Sequence, residues 1–196
     1  GSNISSIDGI IRTNGNANLF LINPNGIIFG ENASLAIAGS FVASTSNSLR
    51  FADGSEFSAT NPSTSPLLTV SIPVGLQLGH NPGAIKVEGI GKSEVFPTTN
   101  LGLAAAPGKT LVLVGGDVTF NGGIASAIAG RLEVGSAANG EVSLTPISVG
   151  WRLGYEKVGD FRNIKLLNNS SLWNPNFNLN PEGGIRLQAG NITLNN

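Results

Sequence analysis

Few side chains in this sequence could do chemistry, and their spacing narrows the choice further. There is one histidine, His80, and no cysteine, so disulfides, thiolate metal sites and cysteine nucleophiles are excluded together. A zinc site built from several histidines cannot form, and a Ser-His-Asp triad would rest on His80 alone. His80 precedes Asn81-Pro82, which reads as a loop. Acid–base hydrolysis of a sugar chain needs paired carboxylates. Asp8, Asp53, Asp117 and Asp160 are scattered instead, with no Asp-x-Asp or Asp-Asp pair. Calcium-binding nonapeptide repeats are missing as well. Gly89-Ile90-Gly91-Lys92-Ser93 is like the end of a phosphate-binding loop, but Lys86 stands where the motif needs glycine and no helical pattern follows. It reads as an ordinary turn. Asn32, Asn168, Asn169 and Asn191 each begin an Asn-x-Ser/Thr triplet, and in an Asn-rich chain these read as corner residues. No catalytic residue, cofactor-binding residue or metal ligand is assigned, and the chain is not read as an enzyme.

Composition points the same way. The 196 residues suit one domain, and the net charge of -1 provides no field for a phosphate backbone, so nucleic acid is not an expected partner. No apolar run is long enough to span a bilayer, and the start does not resemble a signal peptide. Methionine is absent, so the chain is expected to be a processed or excised piece, with Gly1-Ser2 either native or left from cloning.

Any function must be positioned by short strands. Leu19 to Ile22, Gly26 to Phe29, Leu35 to Ile37, Leu111 to Val114 and Ile185 to Leu187 are brief apolar runs bounded by Gly, Asn and Pro. Gly102 to Ala106 is the best local helix candidate and is short. The segment from Leu111 to Asn121 aligns without a gap on the segment from Ile185 to Asn195, and Ile164 to Trp173 is a looser third copy. Leu111/Leu113 recur as Leu132/Val134, and Ile164/Leu166 as Ile185/Leu187, after 21 residues; Phe20 and Phe41 share that separation. A period near 20 signals a solenoid of stacked strand-and-corner units. The expected fold is all-β, a parallel β-helix in which Leu113, Val134, Leu166 and Leu187 point inward; a β-sandwich is the alternative. Two stretches break the pattern. Residues 52–98 read as an extrahelical β-hairpin or small sheet, and Ser148 to Asp160 as a lengthened turn between rungs.

The strongest local signal is Asn18-Leu19-Phe20-Leu21-Ile22-Asn23-Pro24-Asn25-Gly26-Ile27-Ile28-Phe29-Gly30. It reads as strand, tight turn, strand. Pro24 presets φ, Asn25 or Gly26 accepts a positive φ, and the Asn23 side chain can bond its own backbone.

This segment resembles the Asn-Pro-Asn motif of two-partner secretion (TPS) domains, the N-terminal modules of filamentous-haemagglutinin-like exoproteins. Ala33 to Ser44 and Phe51 to Phe57 continue the resemblance, and Pro107 to Gly116 and Gly130 to Gly135 extend it more loosely. The resemblance implies a right-handed parallel β-helix with extrahelical β elements. It also implies recognition by the periplasmic POTRA domains of a dedicated outer-membrane transporter, followed by export and folding outside the cell. Asn23, Pro24, Asn25 and Gly26 would belong to the secretion motif as structural turn residues. Residues 1–196 would form one such domain, N-terminally incomplete, because the segment before Ile4 would normally supply a cap and first rungs. The lack of cysteine agrees with threading an unfolded chain through a pore. Two other readings stay open: a surface adhesin or filament segment that contacts external ligands itself, and a β-helical carbohydrate-active enzyme whose carboxylates converge in space.

Overall fold

The computed structural model describes residues 2–61, 71–91, 99–177 and 180–195. These contain twenty strands and no helix; the helix candidate at Gly102 to Ala106 contributes a two-residue strand instead. The chain visits three sets of strands in a fixed rotation. A first round is β1 (Ser5–Ile7), β2 (Ile10–Arg12) and β3 (Leu19–Ile22), and a second is β4 (Ile27–Phe29), β5 (Ser34–Ala36) and β6 (Phe41–Ser44). The chain then leaves through β7 (Ser48–Phe51), β8 (Glu56–Ser58) and β9 (Pro73–Leu78). It rejoins at β10 (Ile85–Glu88), β11 (Leu103–Ala104) and β12 (Thr110–Gly115), followed by β13 (Val118–Asn121), β14 (Ile124–Ser126) and β15 (Arg131–Ile147). β16 (Gly150–Phe161) folds back on β15, and β17 (Asn163–Leu167), β18 (Ser171–Trp173), β19 (Gly184–Gln188) and β20 (Asn191–Asn195) close the order.

Successive rounds pair in parallel. Ser5, Ile27, Ile85, Val118, Ile164 and Ile192 are partners in turn along one six-stranded sheet. Leu19, Phe41, Leu111, Leu132 and Ile185 form a second such column. Leu113, Val134 and Leu187 lie in one register, whereas Leu166 sits in the six-stranded sheet opposite Phe120 and Leu194. All four belong to the same apolar interior. The repeat from Leu111 to Asn121 and from Ile185 to Asn195 is therefore β12–β13 and β19–β20, one corner met twice. The looser copy at Ile164 is a different corner, between β17 and β18.

Two sequence expectations change. Ile85 to Glu88, assigned above to the extrahelical stretch, pairs in parallel with β4 and β13. Leu67 to Val70, also assigned there, lie outside the described residues. Ser148 to Asp160 is not a lengthened turn but a hairpin arm. β15 runs parallel to β12 and β19 over its first half, then passes into an antiparallel sheet between β9 and β16.

That antiparallel sheet covers the outer face of β6 and β12. Val42, Val112 and Val114 point into a second core with Leu49, Leu76, Leu78, Val142, Leu144, Trp151 and Leu153. This explains the unbroken run Leu111-Val112-Leu113-Val114: both faces of β12 are buried, so alternation disappears. Glu141 ties the two departures together. Its carboxylate accepts from Lys157 at 3.1 Å and pairs with Arg50 on β7. Gly75 lies under its side chain, where a Cβ would meet Cδ at 3.0 Å. The arm's tip is held by Glu182, which accepts from the Ser148 amide and hydroxyl at 2.8 Å each.

Glu133 lies on the outward face of β15 beneath the arm and is fully buried. Its Oε1 meets Arg131 Nε at 2.5 Å, while Oε2 and the Tyr155 hydroxyl have no partner among the described residues. Burial pushes the Glu133 carboxyl above its ordinary value despite Arg131 and Arg186. A raised carboxyl means the folded chain prefers the protonated form. Its stabilisation is complete below the unfolded value of 4.5 and is lost as pH rises through the folded one. Glu133→Gln, which imitates the protonated form, is therefore expected to melt higher than the parent at pH 7, each kcal/mol giving about 2–4 °C. The difference should vanish below pH 4.5. Melting curves across pH check this, and a Gln variant that melts lower at pH 7 would refute it. Glu141 has the opposite sign. Burial raises it, but the bonds from Lys157 and Arg50 outweigh burial and hold it low, so its contribution is lost as pH falls.

Candidate functional site

Asn23, Pro24, Asn25 and Gly26 form the corner between β3 and β4. The Gly26 amide donates to the Asn23 carbonyl at 3.1 Å, closing a four-residue turn with Pro24 second. The Asn23 side chain works in two directions. Its Oδ1 accepts the Asn25 amide at 3.0 Å, and its Nδ2 donates to the Asn3 carbonyl at 3.0 Å and to Ser5 Oγ at 2.8 Å. Gly26, not Asn25, takes the positive φ, at 129°.

The corner is also clamped by the next round. The Gly83 amide donates to the Pro24 carbonyl at 2.8 Å, and the Ile27 amide donates to the Ala84 carbonyl at 3.0 Å. A Cβ on Gly83 would lie 2.3 Å from the Asn25 carbonyl carbon and 2.4 Å from the Gly26 nitrogen. Gly83 thus lets one corner rest on another. Its carbonyl accepts from Thr45 Oγ1 at 2.8 Å and from the Gly116 amide at 3.0 Å, passing the stack to the following corner. Sequence reasoning marked Pro82 but missed Gly83, because a contact between residues far apart in the chain has no local signature.

The other candidates disperse around the stack. Asp117 Oδ1 accepts from the Asn163 amide at 3.0 Å, and Asn163 Oδ1 accepts from Asn191 Nδ2 at 3.1 Å, an amide ladder along the same corner column. Asp8 accepts the Asn32 amide at 2.8 Å on the next column, and this backbone bond lowers its carboxyl. Asp53 Oδ1 accepts from the Ser55 amide at 2.9 Å in a turn, and Asp160 lies on the arm. The His80 carbonyl accepts from Arg162 Nη2 at 3.0 Å. Gly89 and Gly91 both have positive φ, and a Cβ on Gly89 would meet Glu31 Cα at 2.5 Å. They serve corner stacking, while Lys92 and Ser93 fall outside the described residues. Among the described residues, no three His, Asp or Glu side chains gather to hold a metal ion, and no helix is long and apolar enough to cross a membrane.

What the arrangement does is fix backbone, through turns whose donors and acceptors are satisfied by neighbouring rounds. The family model of the TPS secretion domain matches residues 1–194. The chain belongs to the TPS secretion domain family. No curated protein and no solved structure matches it. A TPS secretion domain targets an exoprotein for two-partner secretion, so the chain is part of a secreted exoprotein, with a TPS transporter as its general class of partner. The TPS family is a secretion family rather than an enzyme family.

Proposed function

We propose that this TPS secretion domain is the segment of a large bacterial exoprotein recognised by the POTRA domains of a dedicated outer-membrane barrel. The exoprotein crosses the periplasm and outer membrane and reaches the cell surface or medium. Outside the cell the domain folds as a right-handed parallel β-helix, with β7–β9 and the β15–β16 arm as extrahelical elements. The family match over residues 1–194 carries this reading. Three observations support the helix: the fixed rotation through parallel sheets, the columns of buried partners, and corners that hydrogen-bond from round to round. Asn23, Pro24, Asn25 and Gly26 act in secretion by holding the first clamped corner.

Mutation of the corner in the complete exoprotein tests the role. Asn23→Ala removes an acceptor and two donations, each worth about 0.5–1.5 kcal/mol. Gly26→Val forces a β-branched residue to φ 129°, with a strain of about 1–3 kcal/mol. Both variants should be synthesised normally but exported less, the valine variant least. The readout is exoprotein in the medium against exoprotein held in the periplasm. Export at the parent level by both, in cells where deleting the transporter abolishes it, would separate the motif from secretion.

A further inference from the structure

The sequence contains four Asn-Gly steps: Asn14-Gly15, Asn25-Gly26, Asn121-Gly122 and Asn139-Gly140. In such a step the glycine nitrogen can attack the asparagine side-chain carbonyl carbon, because glycine has no side chain to block the approach. The C–N bond to the side-chain nitrogen breaks and ammonia leaves, giving a succinimide. Water then opens the ring at either carbonyl to yield aspartate or isoaspartate. The reaction needs only water, and it needs the glycine amide free to move and to lose its proton.

The fold treats the four steps differently. The Gly26 amide donates to the Asn23 carbonyl at 3.1 Å, and the Gly122 amide to the Leu167 carbonyl at 3.0 Å. Gly140 lies within β15, paired on both sides with Leu78 and Val158. Asn14 and Gly15 are both exposed, and among the described residues no hydrogen bond engages the Gly15 amide or the Asn14 side chain. Gly15 takes φ 72°, and nothing approaches within 4 Å of where its Cβ would stand. We infer that Asn14 is a site of spontaneous deamidation in the folded domain, and that folding protects Asn25 of the secretion corner from the same reaction. Conversion adds one carboxylate to a chain of net charge -1, on a loop whose Gly15 and Asn16 rim an apolar groove walled by Leu35, Ile37 and Pro107.

The test is incubation of the 196-residue chain at mildly alkaline pH, native and in denaturing urea, with timed peptide mapping by mass spectrometry. In the native chain Asn14 should convert at least about tenfold faster than Asn25, Asn121 or Asn139, the factor given by a barrier difference of about 1.4 kcal/mol. In urea all four should convert at similar rates. Asn14→Gln should remove the early acidic species on ion exchange, and Asn14→Asp should elute where that species does. Native conversion of Asn14 no faster than the other three would overturn the inference, as would the same ranking of rates in urea.

Discussion

Gly83→Ala is expected to be the most damaging one-carbon change at the secretion corner. Its Cβ would stand 2.3 Å from the Asn25 carbonyl carbon, 2.4 Å from the Gly26 nitrogen and 2.5 Å from the Asn25 oxygen. All three are main-chain atoms, so no rotamer change can relieve the clash. Either the two rounds move apart, losing the Gly83–Pro24 and Ile27–Ala84 hydrogen bonds, or the Asn23–Gly26 turn deforms. Ordinary overpacking costs about 1–3 kcal/mol, and a rigid backbone contact belongs at or above the top of that range. Domains of this kind hold only about 5–15 kcal/mol in total. Urea unfolding should therefore show a large fall in midpoint, with export falling in parallel. Gly9→Ala is the control, because nothing lies within 4 Å of its added carbon. A midpoint for Gly83→Ala within error of Gly9→Ala would show that the corners do not rest on one another.

Gly83 also marks the limit of what the sequence reveals. Strand identity was legible because apolar residues bounded by Gly, Asn and Pro suit short strands and little else. The Leu111 to Asn121 repeat was legible because a corner used twice needs the same small and amide residues twice. The period was less so. Leu111 and Leu132 are true partners, but Phe20 faces Val42 rather than Phe41, and Ile164 faces Ile192 rather than Ile185. Loops of unequal length between rounds make a single period only approximate. Ile85 to Glu88 could not be told from an extrahelical strand, since an alternating apolar run looks the same in either sheet. The arm was hidden because Ser148 to Asp160 reads as a lengthened turn, yet β15 runs on through Gly135 to Gly140 and pairs there with β16 in the antiparallel sheet. Gly135 is small for a reason the chain cannot advertise locally: a Cβ there would lie 2.1 Å from the Tyr155 hydroxyl.

The arm carries the second large effect. Trp151 is 5% exposed and stands edge-on to Phe20 of β3, with ring centroids 5.1 Å apart at 75°. Trp151→Ala should cost about 3–5 kcal/mol, including about 0.5–1.5 kcal/mol for the aromatic pair. The informative question is whether the arm opens alone or the domain unfolds as one. Lifting the arm would expose Val42, Val112 and Val114, each fully buried, so β6 and β12 cannot keep one apolar face in water. Arm and stack should therefore melt together. With Trp151 removed, Trp173 is the one tryptophan left; it is 42% exposed on β18, in a different sheet. Its fluorescence follows the stack, while protease cleavage within residues 137–161 follows the arm. Both should change over the same urea range, shifted down from the parent. Cleavage of the arm at urea concentrations where Trp173 still reports native surroundings would show that the arm is an independent flap, and the outward valines would then need another cover.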